Sequence, residues 1–188
     1  MTEDAVKAVV IGASAGALEA LSSILPALPA TFDKPVMVVV HVPADKQSML
    51  AELFRAKCSL TVKEAEDKEP ITPRTVYFAP PNYHLLVEAD EILSLSSDEP
   101  VLFSRPSIDV LFESAADAYG PGLIAIVLTG ANQDAANGAK AVIDAGGMVV
   151  VQSPDDAFSP AMPQAAIALN PGATVMSLTE IAAYLRKV

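Results

Sequence analysis

Hydrophobic residues in this chain occur in short, uninterrupted runs separated by polar segments that are rich in glycine and proline. Val36–Val40 contains four valines and one methionine, and Leu123–Leu128 is equally continuous. Such runs are typical of strands that are buried on both faces of a parallel sheet. Between the runs, apolar residues recur with helical spacing, as in Leu18–Leu25. The pattern therefore predicts strands that alternate with helices.

The same pattern predicts strands and helices along the whole chain. The predicted strands are Val6–Ile11, Val36–Val40, Leu60–Val62, Thr75–Ala79, Leu123–Leu128, Met148–Val151 and Thr174–Met176, with His84–Val87 and Ile92–Leu95 as a hairpin attached to the sheet. The predicted helices are Leu18–Leu25, Met49–Ala56, one capped by Ser104 or Ser107 and ended by Gly120, Ala135–Ala145, one after Pro163, and one from about Thr179 with a Ser177–Glu180 capping box. We predict a single domain over residues 1–188 with a three-layer α/β/α fold: a doubly wound, mostly parallel sheet and a small antiparallel β-hairpin.

A turn of small residues containing one hydroxyl follows the first strand. Gly12-Ala13-Ser14-Ala15-Gly16 matches G-x-S-x-G, in which small neighbours allow a sharp turn that leaves the serine oxygen exposed. The N-terminus of the next helix offers unpaired N–H groups and the positive end of its dipole, which suits an oxygen that must carry negative charge. Ser14 is thus either a nucleophile or the N-cap of that helix.

Two further polar residues are predicted near the carboxyl ends of strands, where ligands bind in sheets of this kind. His41 closes the second apolar run, and Asp134 lies in the loop after the Leu123–Leu128 run. With Ser14 they form a set in which an imidazole takes the serine proton and a carboxylate orients the imidazole. His41 and Asp134 could instead have structural roles: His41 could form a hydrogen bond with the backbone, and Asp134 could cap a helix. His84 either flanks the site or has a surface or structural role.

The composition argues against a membrane protein, a nucleic-acid-binding protein and a secreted protein. The 188 residues are 52% hydrophobic, and no run reaches the roughly 20 apolar residues that a membrane helix needs. A net charge of −11 argues against binding to nucleic acid or to an anionic membrane. The acidic sequence of residues 1–4 lacks the features of a signal peptide, and Cys58 has no partner for a disulfide, so a packing role for Cys58 and a cytoplasmic location are expected.

The sequence contains no motif that predicts a cofactor or metal site. A dinucleotide-binding G-x-G-x-x-G motif fails because Ser14 and Ala17 stand at its second and third glycine positions. A phosphate-binding Gly-Lys-Ser/Thr sequence is absent. Two histidines and one cysteine without ligand spacing do not make a zinc site. We therefore expect chemistry that needs neither a cofactor nor a metal.

Seven segments, in order along the chain, resemble the catalytic domain of the CheB-type chemotaxis methylesterases. They are Ile11–Gly16, Val40–Pro43, Val76–Pro81 with His84, Arg105–Asp109, Leu128–Gly130 with Asp134, Val151-Gln152 and Ala161–Pro163. The resemblance implies that Ser14 is the nucleophile, His41 the general base and then acid, and Asp134 the orienting carboxylate. It also implies oxyanion donors at the backbone N–H groups near Ala15 and Ala131. The implied substrates are glutamate methyl esters on the cytoplasmic helices of methyl-accepting chemoreceptors or a related signalling protein, and many members also deamidate glutamines.

This chain departs from the family pattern at the predicted site. A second glycine is replaced by Ala17, and the usual Leu-Thr-Gly-Met-Gly-x-Asp-Gly is replaced by Leu-Thr-Gly followed by Ala131-Asn132-Gln133-Asp134-Ala135. If a glycine position requires positive φ, asparagine tolerates it better than alanine does. The receiver domain typical of the family does not precede the first strand, so we expect a stand-alone form that is regulated by a partner.

Two alternatives to receptor demethylation follow from these departures. The chain could be a non-catalytic interaction module, or an esterase that uses the same three residues on another substrate. Because receptor methylation segments are rich in glutamate, an acidic enzyme would attract them weakly unless basic residues such as Arg55 or Arg105 line the approach.

Overall fold

A parallel sheet of seven strands forms the middle layer of the molecule. The computed structural model describes residues 5–42 and 48–188, and all structural statements below concern these ranges. The strands are β1 (Ala8–Ala13), β2 (Val36–Val40), β3 (Thr61–Glu64), β4 (Thr75–Phe78), β5 (His84–Val87), β6 (Leu93–Ser96), β7 (Leu123–Val127), β8 (Met148–Gln152) and β9 (Thr174–Met176). The sheet order is β3-β4-β2-β1-β7-β8-β9, while β5 and β6 form a separate antiparallel hairpin.

Helices cover both faces of this sheet. They are α1 (Ala17–Ile24), α2 (Leu50–Arg55), α3 (Ile108–Tyr119), α4 (Ala136–Asp144), α5 (Ala161–Leu169) and α6 (Leu178–Leu185). Alternate residues of β1 point to opposite layers: Val9 and Ile11 pack with apolar residues of α1 and α6, and Val10 packs with those of α3 and α4. Burial on both faces explains why the central strands are uninterrupted apolar runs. The predicted three-layer α/β/α fold with a parallel sheet and a small hairpin is confirmed.

The structure corrects two details of the sequence prediction and decides between the two serines proposed as a helix cap. The hairpin is not joined to the main sheet but packs on α3, where the Val87 N–H donates to the Ser114 hydroxyl at 3.0 Å. Ser107, and not Ser104, caps α3. Helix α5 begins at Ala161 and includes Pro163 in its first turn, where the missing N–H of proline would have had no helical partner. The capping box of Ser177 at the start of α6 is as predicted.

Some predictions lie outside the described residues. The acidic sequence of residues 1–4 and Pro43 of the predicted histidine segment belong to this part of the chain. Across the described ranges, none of the helices combines the length and the apolar character needed to cross a membrane. The side chain of Cys58 is partly buried against the layer that contains α1, in line with the packing role expected for it.

Close packing over the first strand depends on a glycine. A Cβ atom at Gly12 would lie 2.3 Å from Cγ2 of Ile108, the first residue of α3. No side chain fits at that distance, so the absence of a Cβ lets the N-terminus of α3 approach the end of β1. This approach brings the start of α3 next to the turn that contains Ser14.

Ala135 adopts a backbone conformation that suits glycine. Its φ of 89° lies in the left-handed region, at a position where the family pattern has glycine. Left-handed geometry costs a residue with a Cβ roughly 1–2 kcal/mol. Asn132, at the other substituted glycine position, is not among the residues with positive φ. The strain from the altered sequence is therefore concentrated at Ala135.

We predict that Ala135→Gly raises the free energy of unfolding by roughly 0.5–1 kcal/mol, because relief of left-handed strain exceeds the loss of one buried methyl group. The neighbouring Ala136 is the matched control, since it lies within α4. Ala136→Gly should lower the free energy of unfolding by about 1 kcal/mol. Urea unfolding of both variants measures this difference, and a loss of stability in both would contradict the assignment of strain to Ala135.

Candidate active site

The three residues predicted for the site lie beyond the carboxyl ends of three adjacent strands. Ser14 directly follows β1, His41 directly follows β2, and Asp134 is in the loop after β7. These strands are neighbours in the order β2-β1-β7. The backbone N–H of His41 donates to the carbonyl of Ala13 at 3.1 Å, which ties the histidine to the residue before Ser14. The parallel sheet thus brings together residues that are far apart in sequence.

His41 and Asp134 are in direct contact. Nε2 of His41 lies 2.7 Å from Oδ2 of Asp134, whose side chain is completely buried, while that of His41 is 10% exposed. A carboxylate in this position accepts a hydrogen bond from Nε2–H and leaves the lone pair of the neutral ring on Nδ1. The geometry therefore defines which ring nitrogen is available as a base.

Asp134 is held by several donors besides the imidazole. Its carboxylate accepts hydrogen bonds from the Ser107 hydroxyl at 3.1 Å, from the Ile108 N–H at 2.7 Å and from the Asp109 N–H at 2.9 Å. Burial by itself raises the pKa of Asp134, but the hydrogen bonds from His41, Asp109 and Ile108 outweigh it, so the pKa lies below the ordinary value. Asp134 is therefore not the N-cap of the helix that follows it, α4, but an anion at the N-terminus of α3.

Asp109 makes the reciprocal contact with α4. Its Oδ1 accepts the N–H of Ala135 at 3.0 Å and that of Gly138 at 2.7 Å. Burial raises the pKa of Asp109 to about 6, the two backbone hydrogen bonds oppose this rise, and the negative charge of Asp134 adds to it. Asp109 of α3 thus binds the N-terminus of α4, and Asp134, in the loop before α4, binds the N-terminus of α3.

The turn that contains Ser14 is fixed by the loop after β7. The Ser14 N–H donates to the Thr129 carbonyl at 2.9 Å, and the Thr129 hydroxyl donates to the Ala15 carbonyl at 2.7 Å. Gly16, with a φ of 85°, is the N-cap of α1, so Ser14 does not have the capping role considered for it. Within the described residues the partly exposed Ser14 hydroxyl makes no hydrogen bond. In free hydrolases the bond between nucleophile and base often tightens only when substrate binds.

The two predicted oxyanion donors lie on either side of this junction. Among described residues, neither the N–H of Ala15 nor that of Ala131 donates a hydrogen bond to the protein. Ala131 follows an anchored segment, because the Thr129 N–H donates to Gln152 Oε1 at 2.9 Å and the Gly130 N–H donates to the Ser159 carbonyl at 3.0 Å. Two unpaired N–H groups on fixed loops are suited to bind a developing oxyanion.

A second serine and histidine surround Asp134. Besides its hydroxyl bond to Asp134, Ser107 donates its backbone N–H to Nδ1 of His84 at 3.1 Å. Because Nδ1 accepts, Nε2 of His84 carries the proton and donates to the Glu99 carbonyl at 3.0 Å. Ser107 is 0% exposed and His84 is 2% exposed. Of the roles considered for His84, the structure favours the structural one.

A groove whose described lining residues carry no charge runs from Ala131 along α5. Its cavity has a volume of about 460 Å³ and is lined by Leu102, Phe103, Ala131, Asn132, Gln133, Ala161 and Ala165. Phe103 is fully exposed at its edge. Arg105 is not among the residues that line this cavity. Its guanidinium donates to Asn82 and to the carbonyls of Ser97 and Asp98. Arg55 donates to the Val62 carbonyl. Among the described residues, neither arginine therefore supplies this groove with the basic approach considered from the sequence.

Comparison with known proteins identifies relatives of the whole described fold. Residues 9–185 match the family model described as CheB methylesterase. A Leptospira interrogans protein, described as a putative protein-glutamate methylesterase/protein-glutamine glutaminase, is 47% identical over 94% of this chain and 91% of its own length. An Archaeoglobus fulgidus protein described as a protein-glutamate methylesterase/protein-glutamine glutaminase is 38% identical, and the chain spans 51% of it.

A solved structure shows the same architecture. The crystal structure of the Thermotoga maritima CheB methylesterase catalytic domain matches with a TM-score of 0.92 and 33% sequence identity, over 97% of this chain and 98% of that one. The resemblance noted in the sequence is therefore confirmed at the level of family and fold.

We predict that Asp109→Asn changes how stability depends on pH. Because the pKa of Asp109 is raised from 3.8 to about 6, the folded protein binds more protons than the unfolded chain between about pH 4 and pH 6, and its free energy of unfolding falls as the pH rises through this window. Asparagine keeps an acceptor oxygen but has no such fall. The stability of the variant relative to wild type should therefore increase from pH 4 to pH 7.

Urea unfolding at a series of pH values measures this difference. Asp117→Asn, at an exposed position of the same helix, is the matched control. A difference between wild type and Asp109→Asn that stays constant with pH would contradict the assignment.

Proposed function

Because this chain belongs to the CheB methylesterase family, we propose that it hydrolyses glutamate methyl esters on methyl-accepting chemoreceptors through Ser14, His41 and Asp134. The observation that carries the proposal is the 2.7 Å contact of His41 with buried Asp134, at the strand end next to Ser14. The names of the relatives also include a glutaminase activity, so we extend the proposal to deamidation of glutamine side chains.

The proposed reaction uses the two ring nitrogens of His41 for different tasks. Asp134 accepts a hydrogen bond from Nε2–H, and Nδ1 removes the proton from the Ser14 hydroxyl as its oxygen attacks the ester carbonyl carbon. The oxyanion that forms is bound by the N–H groups of Ala15 and Ala131. His41 then gives the proton to the leaving methoxide, and methanol departs from an acyl-serine.

Hydrolysis of the acyl-serine repeats these steps with water. Nδ1 of His41 takes a proton from water as the hydroxyl oxygen attacks the acyl carbon, and it returns the proton to Ser14 as the glutamate carboxyl group leaves. With a glutamine side chain, the first step releases ammonia in place of methanol. Both reactions use the same side chains and N–H groups.

The network of Ser107, His84 and Asp134 is the second candidate, since it contains the same residue types around the same carboxylate. Its connections differ from those of a nucleophilic triad. The Ser107 hydroxyl donates to Asp134 and not to His84, whose Nδ1 is occupied by the Ser107 backbone N–H. Ser107 is completely buried and caps α3. These contacts support a structural role for Ser107 and His84 in holding Asp134.

Labelling with a fluorophosphonate probe distinguishes the two serines. We predict that wild type is labelled and releases methanol from a methylated receptor preparation, and that Ser14→Ala does neither because it lacks the nucleophile. Ser107→Ala is the matched control: it should keep labelling and lose about 1 kcal/mol of stability with its helix cap.

Three outcomes of this experiment would contradict the proposal. Equal labelling of wild type and Ser14→Ala would exclude Ser14 as the nucleophile. Loss of labelling in a folded Ser107→Ala variant, with labelling kept in Ser14→Ala, would favour the second network. No methanol release above background from wild type would favour the non-catalytic module or another ester as substrate.

A protein substrate is expected to use the uncharged groove beside Ala131. We predict that Phe103→Ala lowers kcat/KM for a methylated receptor fragment roughly tenfold, because an exposed aromatic side chain at the groove loses its contact with the polypeptide. Hydrolysis of a small activated ester should be unchanged.

Met148→Ala is the matched control for this loss, since Met148 is an exposed apolar residue at the amino end of β8, on the opposite edge of the sheet. An equal effect of Phe103→Ala on both substrates, or none on the receptor fragment, would contradict a role in protein recognition.

A further inference from the structure

Asn132 lies against the ring nitrogen of His41 that Asp134 leaves available. Its Nδ2 atom is 3.5 Å from Nδ1 of His41, on the side of the ring opposite Asp134. The family pattern has glycine at this position, and glycine has no donor to offer there. The side chain is partly buried in the wall between the imidazole and the groove.

The orientation of the Asn132 amide is determined by its other contact. The backbone N–H of Asp134 donates to Oδ1 of Asn132 at 3.1 Å, a local turn in which asparagine binds the backbone two residues later. Since only the oxygen can accept that hydrogen, the NH₂ group must be the end that points to His41. Asn132 thus connects the backbone of Asp134 to the free side of the imidazole.

We propose that Asn132 is a positioning residue that holds neutral His41 in the tautomer required for catalysis, with the proton on Nε2 and the lone pair on Nδ1. The amide donates toward Nδ1 while the Asp134 carboxylate accepts from Nε2, so both sides of the ring favour the same tautomer. This inference rests on the proposed function, in which Nδ1 takes the proton of Ser14.

The contact between Asn132 and His41 also affects the step in which His41 gives up the proton that it took from Ser14. When Nδ1 is protonated, its N–H faces the N–H of Asn132, and two donors oppose each other. Transfer of the proton to the leaving methoxide removes this opposition, so the contact promotes that step. At the first step, the Asn132 amide must move away from Nδ1 so that the Ser14 hydroxyl can reach it.

Nitrogen-15 NMR of histidine-labelled protein tests the contact without any turnover. The chain contains only two histidines, so His41→Gln assigns their signals. At a pH where the ring is neutral, we expect Nε2 of His41 to be protonated and Nδ1 to have the shift of an unprotonated, hydrogen-bonded nitrogen. Asn132→Ala should move the Nδ1 signal. Protonated Nδ1 in wild type, or no movement of its signal in Asn132→Ala, would overturn the proposal.

Kinetics of Asn132→Asp test the catalytic consequence. Aspartate keeps an oxygen for the Asp134 N–H, so the turn and the thermal stability should be retained. Its second oxygen accepts a hydrogen bond from a protonated Nδ1, so that nitrogen no longer has a free lone pair. We expect kcat to fall at least about 100-fold with KM unchanged, as for other changes that fix the wrong tautomer. Asn132→Ala, which loses the donor without adding charge, should lower kcat about tenfold.

Asn137→Asp, an exposed asparagine on α4, controls for the added charge and should retain wild-type kcat. Wild-type kcat in Asn132→Asp, or an equal loss in Asn137→Asp, would overturn the proposal. Failure of the proposed function is a separate result: wild type would then release no methanol, whereas the NMR signals would still show whether Asn132 binds Nδ1.

Discussion

The carboxylate of Asp134 is the constraint on which the site depends. A fully buried negative charge without partners is strongly destabilising, and no lysine or arginine contacts this one in the described part of the chain. Its charge is instead stabilised by an imidazole, a hydroxyl and the backbone N–H groups at the start of α3. Those donors must converge on one point for the fold to be stable. The same convergence fixes the ring of His41, so folding stability and the orientation of the proposed base have a common cause.

This constraint extends to the packing of the helices. Asp109 returns the interaction by accepting N–H groups at the start of α4, so the two N-termini are coupled through exchanged carboxylates. The exchange requires close approach, and a Cβ at Gly138 would lie only 2.6 Å from Cβ of Phe112. Gly12 allows the equivalent approach of α3 to β1. The spacing of α3 against β1 and α4 thus depends on two positions without a Cβ atom as well as on the buried carboxylates.

The sequence predicts the sheet, the order of the elements and the three residues at its carboxyl edge, because apolar runs and strand ends are local signals. It does not predict that Asp109 and Ser107 support Asp134. The capping pattern of Ser107 is visible, but its second partner comes from the loop after β7, and no local signal reports that contact. The pairing of Asp109 with α4 depends on how two helices pack. Likewise, the substitution of Asn132 for glycine is visible in the sequence, whereas the direction of its amide follows from the Asp134 N–H.

Ala135 adopts a glycine-like backbone conformation although it carries a side chain. Ala135 keeps a φ of 89° despite the strain, because its N–H donates hydrogen bonds to the carboxylates of Asp109 and Asp134. A relaxed backbone at this residue would turn the N–H away from two buried carboxylates, and leaving those acceptors with fewer donors costs as much as the strain or more. The exchange of carboxylates therefore requires the glycine-like conformation whether or not glycine is present. It follows that substitutions in residues 131–135 change which side-chain groups contact His41, and the contact is made by the amide of Asn132.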